Sequence, residues 1–242
     1  PIDRPPHTTR RWLFRVCGSL AHLLLWFLRT TSPVRFERIA RPVIRLFLKV
    51  AIPSRRLTGL IGAAFGDSLD TSAKLDLAKK VKRQCADAAV DSLLHIGYPE
   101  RLRDILHIQG LEHLDRALAR GHGVIALGFH LGNFLLVGGA LMPRGYSIHC
   151  LFRFLDDVKF MELILRHSRS FFSTLIPSMP RRVAVKKILT ALRQNHTVLI
   201  LGDNLKRGEV ETRLFDRPVR SARGPASLAL RSSATILPMY LI

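Results

Sequence analysis

The sequence predicts an α/β fold, a mostly parallel central sheet flanked by helices, preceded by a basic N-terminal helical segment that associates with a membrane. Three observations carry that reading. From Ile105 onward, short apolar runs alternate with stretches of helical periodicity, the pattern of strands joined by crossover helices. The run Val124-Ile-Ala-Leu ends in a small-residue turn that presents His130, as a core strand running into a sheet edge does. The first 60 residues carry twelve arginines and lysines against two acids, and so hold half of the formal net charge of +20.

At 242 residues the chain can bury one sizeable core with a helical segment appended. The division expected is 1–56 for a membrane-anchoring, amphipathic helical segment and 57–242 for the α/β domain. An imbalance of +20 points to an anionic partner, for which nucleic acid, an anionic membrane surface and an acidic carrier protein all qualify. The cysteines, Cys17, Cys85 and Cys150, are far apart and lack a Cys-x-x-Cys spacing. They read as small core hydrophobes in a reducing compartment rather than as a metal framework.

Taken in order, the first element is the apolar run Val16 to Leu28, bracketed by Arg15 and Arg29. It falls short of the roughly 20 residues that cross a bilayer, although snorkelling arginines extend its reach. It reads as a membrane-anchoring helix, spanning or half-inserted; a buried helix of a soluble protein is the alternative. After Pro33, Val34 to Ile52 forms a basic amphipathic helix with Arg35, Arg38, Arg41, Arg45 and Lys49 on one broad face. Such a helix suits an anionic membrane surface. Residues 71–96 make a long helix capped by Asp70 or Thr71, with Leu75, Ala78, Val81, Cys85, Ala89 and Leu93 as its core stripe.

Strands follow at Leu106–Ile108, Val124–Leu127, Ser147–Phe152, Thr174–Ile176, Val198–Leu201 and Thr235–Leu241. Helices lie between them at Leu111–Ala119, Asn133–Leu141, Asp157–Phe171, Arg182–Arg193 and Pro225–Ser232. Residues just past the strands are the ones to search for chemistry, because open α/β sheets bind ligands beyond the carboxyl ends of their strands. His130 follows one strand, Asp203 and Asn204 a second, and Arg153 a third. The sequence has no P-loop, dinucleotide fingerprint, Gly-x-Ser-x-Gly elbow or His-Glu-x-x-His zinc motif. Read without further context, a histidine such as His130 in a strand-end turn is more often structural than catalytic, and Arg153 is a surface arginine nearly as readily as a site residue.

The block His130-Leu-Gly132-Asn133-Phe after an apolar strand resembles the signature of the lipid A late acyltransferase family, within the larger lysophospholipid acyltransferase group. Asp203-Asn204 is similar to that family's strand-Asp-Gln block, and Leu214 to Ala229 to its Phe-x-x-Arg-Pro and Gly-Pro-Ala blocks. The likeness runs from about Leu57 to the end of the chain, where the family continues further. It implies that His130 takes a proton from an acceptor hydroxyl, which then attacks a thioester of an acyl carrier protein or of coenzyme A. A neutral imidazole suits that task, since histidine ordinarily titrates at ~6.5.

One departure stands out. The family places an acid five residues after the histidine, and here that position is Leu135. Asp203 is the first candidate to replace it as the orienting carboxylate, with Asp156 or Asp157 behind it. The resemblance further implies that Gly132, Asn133, Arg153, Asn204 and Arg223 bind substrate, Arg153 by gripping a phosphate or the phosphopantetheine arm.

The function expected is therefore acyl transfer to a hydroxyl of a glycolipid or lysophospholipid, on the cytoplasmic face of a bacterial inner membrane. Anionic membrane lipids and an acyl carrier protein are the expected partners, with no metal or redox cofactor. The alternative is a catalytically inactive relative that binds lipid or acts as a scaffold, a reading that Leu135 recommends. Nucleic-acid binding rests on net charge alone, and the bases are interleaved with aliphatics in no known binding module.

Overall fold

The computed structural model describes residues 7–99, 106–153, 158–203 and 210–241. The chain divides into two compact units, Pro1–Tyr98 and Pro99–Ile242. The first is helical and extends past the break near residue 56 read from the sequence, because two further helices pack with those before it.

That unit comprises α1 (His7–Thr30), α2 (Pro33–Ala51), α3 (Ser54–Phe65) and α4 (Thr71–Gly97). Ser32 caps α2 by accepting the Arg35 N–H, and Pro33 follows at the first turn, where its missing N–H costs nothing. Asp70 caps α4 by accepting the Ala73 N–H at 2.6 Å. Phe36, Ala40 and Ile44 of α2 are buried, and Tyr98 closes the unit by donating its hydroxyl to the Thr31 carbonyl at 3.0 Å.

Two details differ from the sequence reading. The bases of α2 do not share one solvated face: Arg41 pairs with Glu37 at 2.6 Å and Asp87 at 2.8 Å, and Arg45 with Asp87 at 2.9 Å. The acids of α4 draw them inward. On α4 the buried positions are Ala78, Ala86, Val90, Leu94 and His95, while Leu75, Val81 and Cys85 are exposed. The small alanines face the packing helices, which turns the expected stripe by about one position. Among the described residues, no helix is long and apolar enough to cross a membrane.

The second unit is built on five parallel strands, β1 (Val124–Gly128), β2 (Ile148–Phe152), β3 (Thr174–Pro177), β4 (Thr197–Leu201) and β7 (Thr235–Pro238). Their order across the sheet is β3-β2-β4-β1-β7. Helices α5 (Leu111–Leu118), α6 (Leu135–Leu141), α7 (Val158–Ser168), α8 (Arg181–Arg193) and α9 (Gly224–Ser232) accompany it. Ile125, Val198 and Ile200 meet Ala184, Ile188 and Leu192 of α8 and Leu228 of α9 in a continuous core. The α/β expectation and its parallel sheet are thus as the alternation of strands and helices dictates.

Leu106–Ile108 does not form a strand; it runs irregularly to Gly110, which turns at φ 77° into α5. Both neighbours of β1 are already in place, so that apolar triplet has no ladder beside β1 to join. An unanticipated hairpin, β5 (Val210–Leu214) with β6 (Arg217–Ser221), follows β4. Its turn is made by Phe215 and Asp216 at φ 49° and 57°, positions that usually need Asn-Gly.

Cys150, in β2, is buried, and burial pushes its thiol up to about 12. It is a core side chain and not a nucleophile. Beside it, His149 Nε2 lies 3.0 Å from His196 Nδ1, the two rings stacked. Burial and then the proximity of His196 lower the His149 pKa. Below the ordinary histidine pKa of ~6.5 the unfolded chain takes up a proton that the folded pair resists, so stability falls as pH drops. The thermal midpoint is expected to fall between pH 7.5 and 5.5, and to fall less in His149→Gln. An equal fall in both proteins would remove the pair as the cause.

Candidate active site

β1 and β4 are adjacent, and their register sets Gly128 opposite Leu201. The Gly202 N–H donates to the Gly128 carbonyl at 2.9 Å, carrying the ladder one step past the strands. His130 and Asp203 each stand two residues beyond that last pair, so an equal offset on paired strands brings them together. The connection leaving β1 leads toward β2 and that leaving β4 toward β7, in opposite directions along the sheet. This divergence opens a crevice at the carboxyl edge between them.

Within the crevice, His130 Nδ1 lies 2.8 Å from Asp203 Oδ1, and the His130 backbone N–H donates to Asp203 Oδ2 at 2.8 Å. Both carboxylate oxygens are thereby committed to one residue. Burial pushes the Asp203 carboxyl up, but the two hydrogen bonds and the charge of His130 outweigh it and hold its pKa below the ordinary value. The carboxylate stays ionised and the ring is held by Nδ1. Nε2 is the nitrogen left for a substrate, on a side chain that is 60% exposed. Phe134 packs edge-on against the imidazole, ring centres 5.1 Å apart.

Gly132 turns at φ 59°, which an ordinary residue resists, and so directs the chain from His130 into α6. Asn133 is 8% exposed, and its carbonyl accepts the Leu136 N–H at 3.0 Å, so it serves the turn more than the crevice surface. Leu135, the position where an acid was expected, is the first residue of α6. Arg153 is exposed directly after β2, and Arg223 stands at the N-terminal end of α9. Asn204, Asp156 and Asp157 lie outside the described residues.

Sequence reasoning missed three contributors: Phe134, the His130 backbone N–H, and the apolar rim made by Phe129 and Leu131, which are 36% and 50% exposed. The signal for the rim was present, since two large hydrophobics flank a histidine in a turn. Exposed apolar side chains thus stand on both sides of the imidazole.

Residues 60–242 match the family model described as bacterial lipid A biosynthesis acyltransferase. Two curated proteins of Mycobacterium tuberculosis are similar over part of the chain: the phosphatidylinositol mannoside acyltransferases of strains CDC 1551 / Oshkosh and ATCC 25618 / H37Rv. Each is 30% identical over 135 residues, which is 55% of this chain and 43% of the relative. The match thus spans less than half the length of those relatives. With the family model covering most of the chain, and the strand-end histidine and its carboxylate lying inside the matched region, this protein belongs to the bacterial lipid A biosynthesis acyltransferase family.

Proposed function

We propose that this chain transfers a fatty acyl group from a thioester, carried by acyl carrier protein or coenzyme A, to a hydroxyl of a glycolipid or lysophospholipid. The observation that carries the reading is the 2.8 Å contact between His130 Nδ1 and Asp203 Oδ1. With Nδ1–H held by the carboxylate, Nε2 accepts the proton of the acceptor hydroxyl as its oxygen attacks the thioester carbonyl. The new ester C–O bond forms, the C–S bond breaks, and the imidazolium returns its proton to the departing thiolate. Asp203 stabilises the imidazolium between those two transfers. The step uses no metal or redox group.

Arg153 and Arg223 are cations on the edge that would receive phosphate groups of donor or acceptor. The names of the mycobacterial relatives support a glycosylated phospholipid as acceptor, whose sugar hydroxyls offer the attacking oxygen. The surface of α2 supports work at a membrane, and the site we propose for it is the cytoplasmic face of an inner membrane. Ile39, Val43, Leu46 and Val50 are exposed along one stripe, with Arg35, Arg38 and Lys49 beside them. That pairing suits an interfacial helix on anionic lipid rather than a spanning one.

The test is transfer of labelled acyl chain from carrier and from coenzyme A thioesters to a panel of a lipid A precursor, a phosphatidylinositol mannoside and a lysophospholipid. Transfer lost in His130→Ala is the expected result. Absence of transfer to every acceptor, with vesicle binding intact, would instead favour the inactive lipid-binding reading that Leu135 suggests. Leu135→Glu is expected to change the rate by less than about threefold, because Asp203 already occupies Nδ1. A gain of tenfold or more would mean that Asp203 does not supply the missing carboxylate.

A further inference from the structure

We propose that the groove between α8 and α9 is a docking surface for an acidic helix of the protein that carries the acyl donor. The proposal rests on the acyl-transfer reading for the identity of that protein. The groove is open and encloses roughly 650 Å³. Arg181, which has a partner elsewhere, Arg182, Lys186 and Arg193 line one side and Arg231 the other, with Val185 and Leu189 half-buried between them.

The charge is not explained by the fold. α8 contains no acidic residue, and its first turn carries Arg181 and Arg182, where the helix dipole disfavours cations. Among the described residues, no carboxylate pairs with Arg182, Lys186, Arg193 or Arg231. Four exposed cations around an apolar floor therefore await an anionic partner.

Their arrangement selects its kind. From Arg182 to Arg193 the helix rises roughly 16 Å, about three turns of a partner helix. A single phosphate would need cations converging on one point, and here they are strung along a line. A membrane would need apolar side chains protruding from the groove. Those that line it, Val185 and Leu189, are recessed below the cations, while the exposed Val183 and Leu230 lie outside the lining. An amphipathic acidic helix, with acids toward both rims and an apolar ridge toward Val185 and Leu189, fits both features.

The direction of the groove ties it to the site. α8 leaves the carboxyl end of β3 and returns to the amino end of β4, and α9 runs back to the amino end of β7. Both helices begin at the sheet edge that holds His130 and Asp203. A carrier seated in the groove would have its upper end toward the crevice, where its thioester is consumed.

The experiment measures binding of acyl carrier protein, and separately of anionic phospholipid vesicles, to the full chain and to the Lys186→Glu/Arg193→Glu double variant. The Lys187→Glu/Arg120→Glu variant, at two exposed positions outside the groove lining, makes the same change in net charge and serves as the control. Carrier binding is expected to weaken about tenfold or more in the double variant and less than about threefold in the control. Failure of the unmodified chain to bind carrier, or equal loss in both variants, overturns the proposal. Loss of vesicle binding with carrier binding unchanged also overturns it, in favour of a lipid surface. Should the double variant melt early, Arg231→Glu on the opposite rim is expected to weaken carrier binding, and no change there overturns the proposal as well. A carrier that binds through the groove, with no acyl chain transferred from it or from coenzyme A, leaves the docking surface standing and removes the transfer reading.

Discussion

Asp203→Asn is expected to lower the rate of acyl transfer by about 10²–10⁴-fold while leaving the donor KM within a few-fold. The size of the effect comes from how the carboxylate is used. Its two oxygens accept from the His130 backbone N–H and from Nδ1, each at 2.8 Å. An amide offers one oxygen and one NH₂. If the oxygen keeps the backbone N–H, the NH₂ faces Nδ1, which must then accept a hydrogen bond. The ring proton moves to Nε2, and the nitrogen that should take the substrate proton already holds one. The positive charge that forms on the ring also loses its counterion.

The same geometry predicts strong non-additivity. His130→Ala removes the base outright, and adding Asp203→Asn to it should cost little more, since the carboxylate acts through the ring. Steady-state kinetics of the two single variants and the double variant test this. Additive losses, or an Asp203→Asn rate within threefold of the unmodified chain, would mean that the carboxylate does not act through His130.

How far the sequence revealed this site follows from what each residue could signal. The strands of the sheet were legible because apolar runs of three to seven residues stood between turn residues. His130 and Asp203 were legible as strand-end residues, and Asp203 as the first candidate carboxylate for the ring, but the contact itself depends on register. Only the alignment of Gly128 with Leu201 turns two separate turns into one crevice. Asn133 was legible as polar and near the histidine, whereas its burial depends on how α6 sits against its neighbours.

The misses have physical causes too. The β5–β6 hairpin escaped because its strands are largely exposed and its turn lacks glycine, so neither alternation nor turn chemistry announced it. The α8–α9 groove escaped because its bases lie on two helices separated by a strand and a hairpin. Along α8 alone, Arg182, Lys186 and Arg193 look like an ordinary solvated face.

Gly138→Ala is expected to destabilise the α/β unit by about 3 kcal/mol or more, in contrast with most surface changes. Gly138 sits in the middle of α6, where alanine would by itself favour the helix by about 1 kcal/mol. The added methyl, however, would be driven into the Phe171 carbonyl oxygen and would lie 2.7 and 2.9 Å from atoms of the Phe172 ring. Neither can yield cheaply. Phe171 and Phe172 are 4% and 2% exposed, and the Phe172 N–H is held by the Ser168 carbonyl at 2.8 Å. Next to them, the Ser173 N–H donates to the Ile148 carbonyl at 2.7 Å and so ties this turn to β2. The methyl therefore forces α6 outward, and α6 is the helix into which the His130 turn leads. At about 2–4 °C per kcal/mol for a chain of this size, the midpoint should drop by roughly 6–12 °C. Gly59→Ala in α3 is the matched comparison, since nothing lies within 4 Å of its added methyl. That change should raise stability by about 0.5–1 kcal/mol, the helix preference acting without a clash. If both variants shift the thermal midpoint alike, the close approach of α6 to Phe171 and Phe172 is not what Gly138 provides.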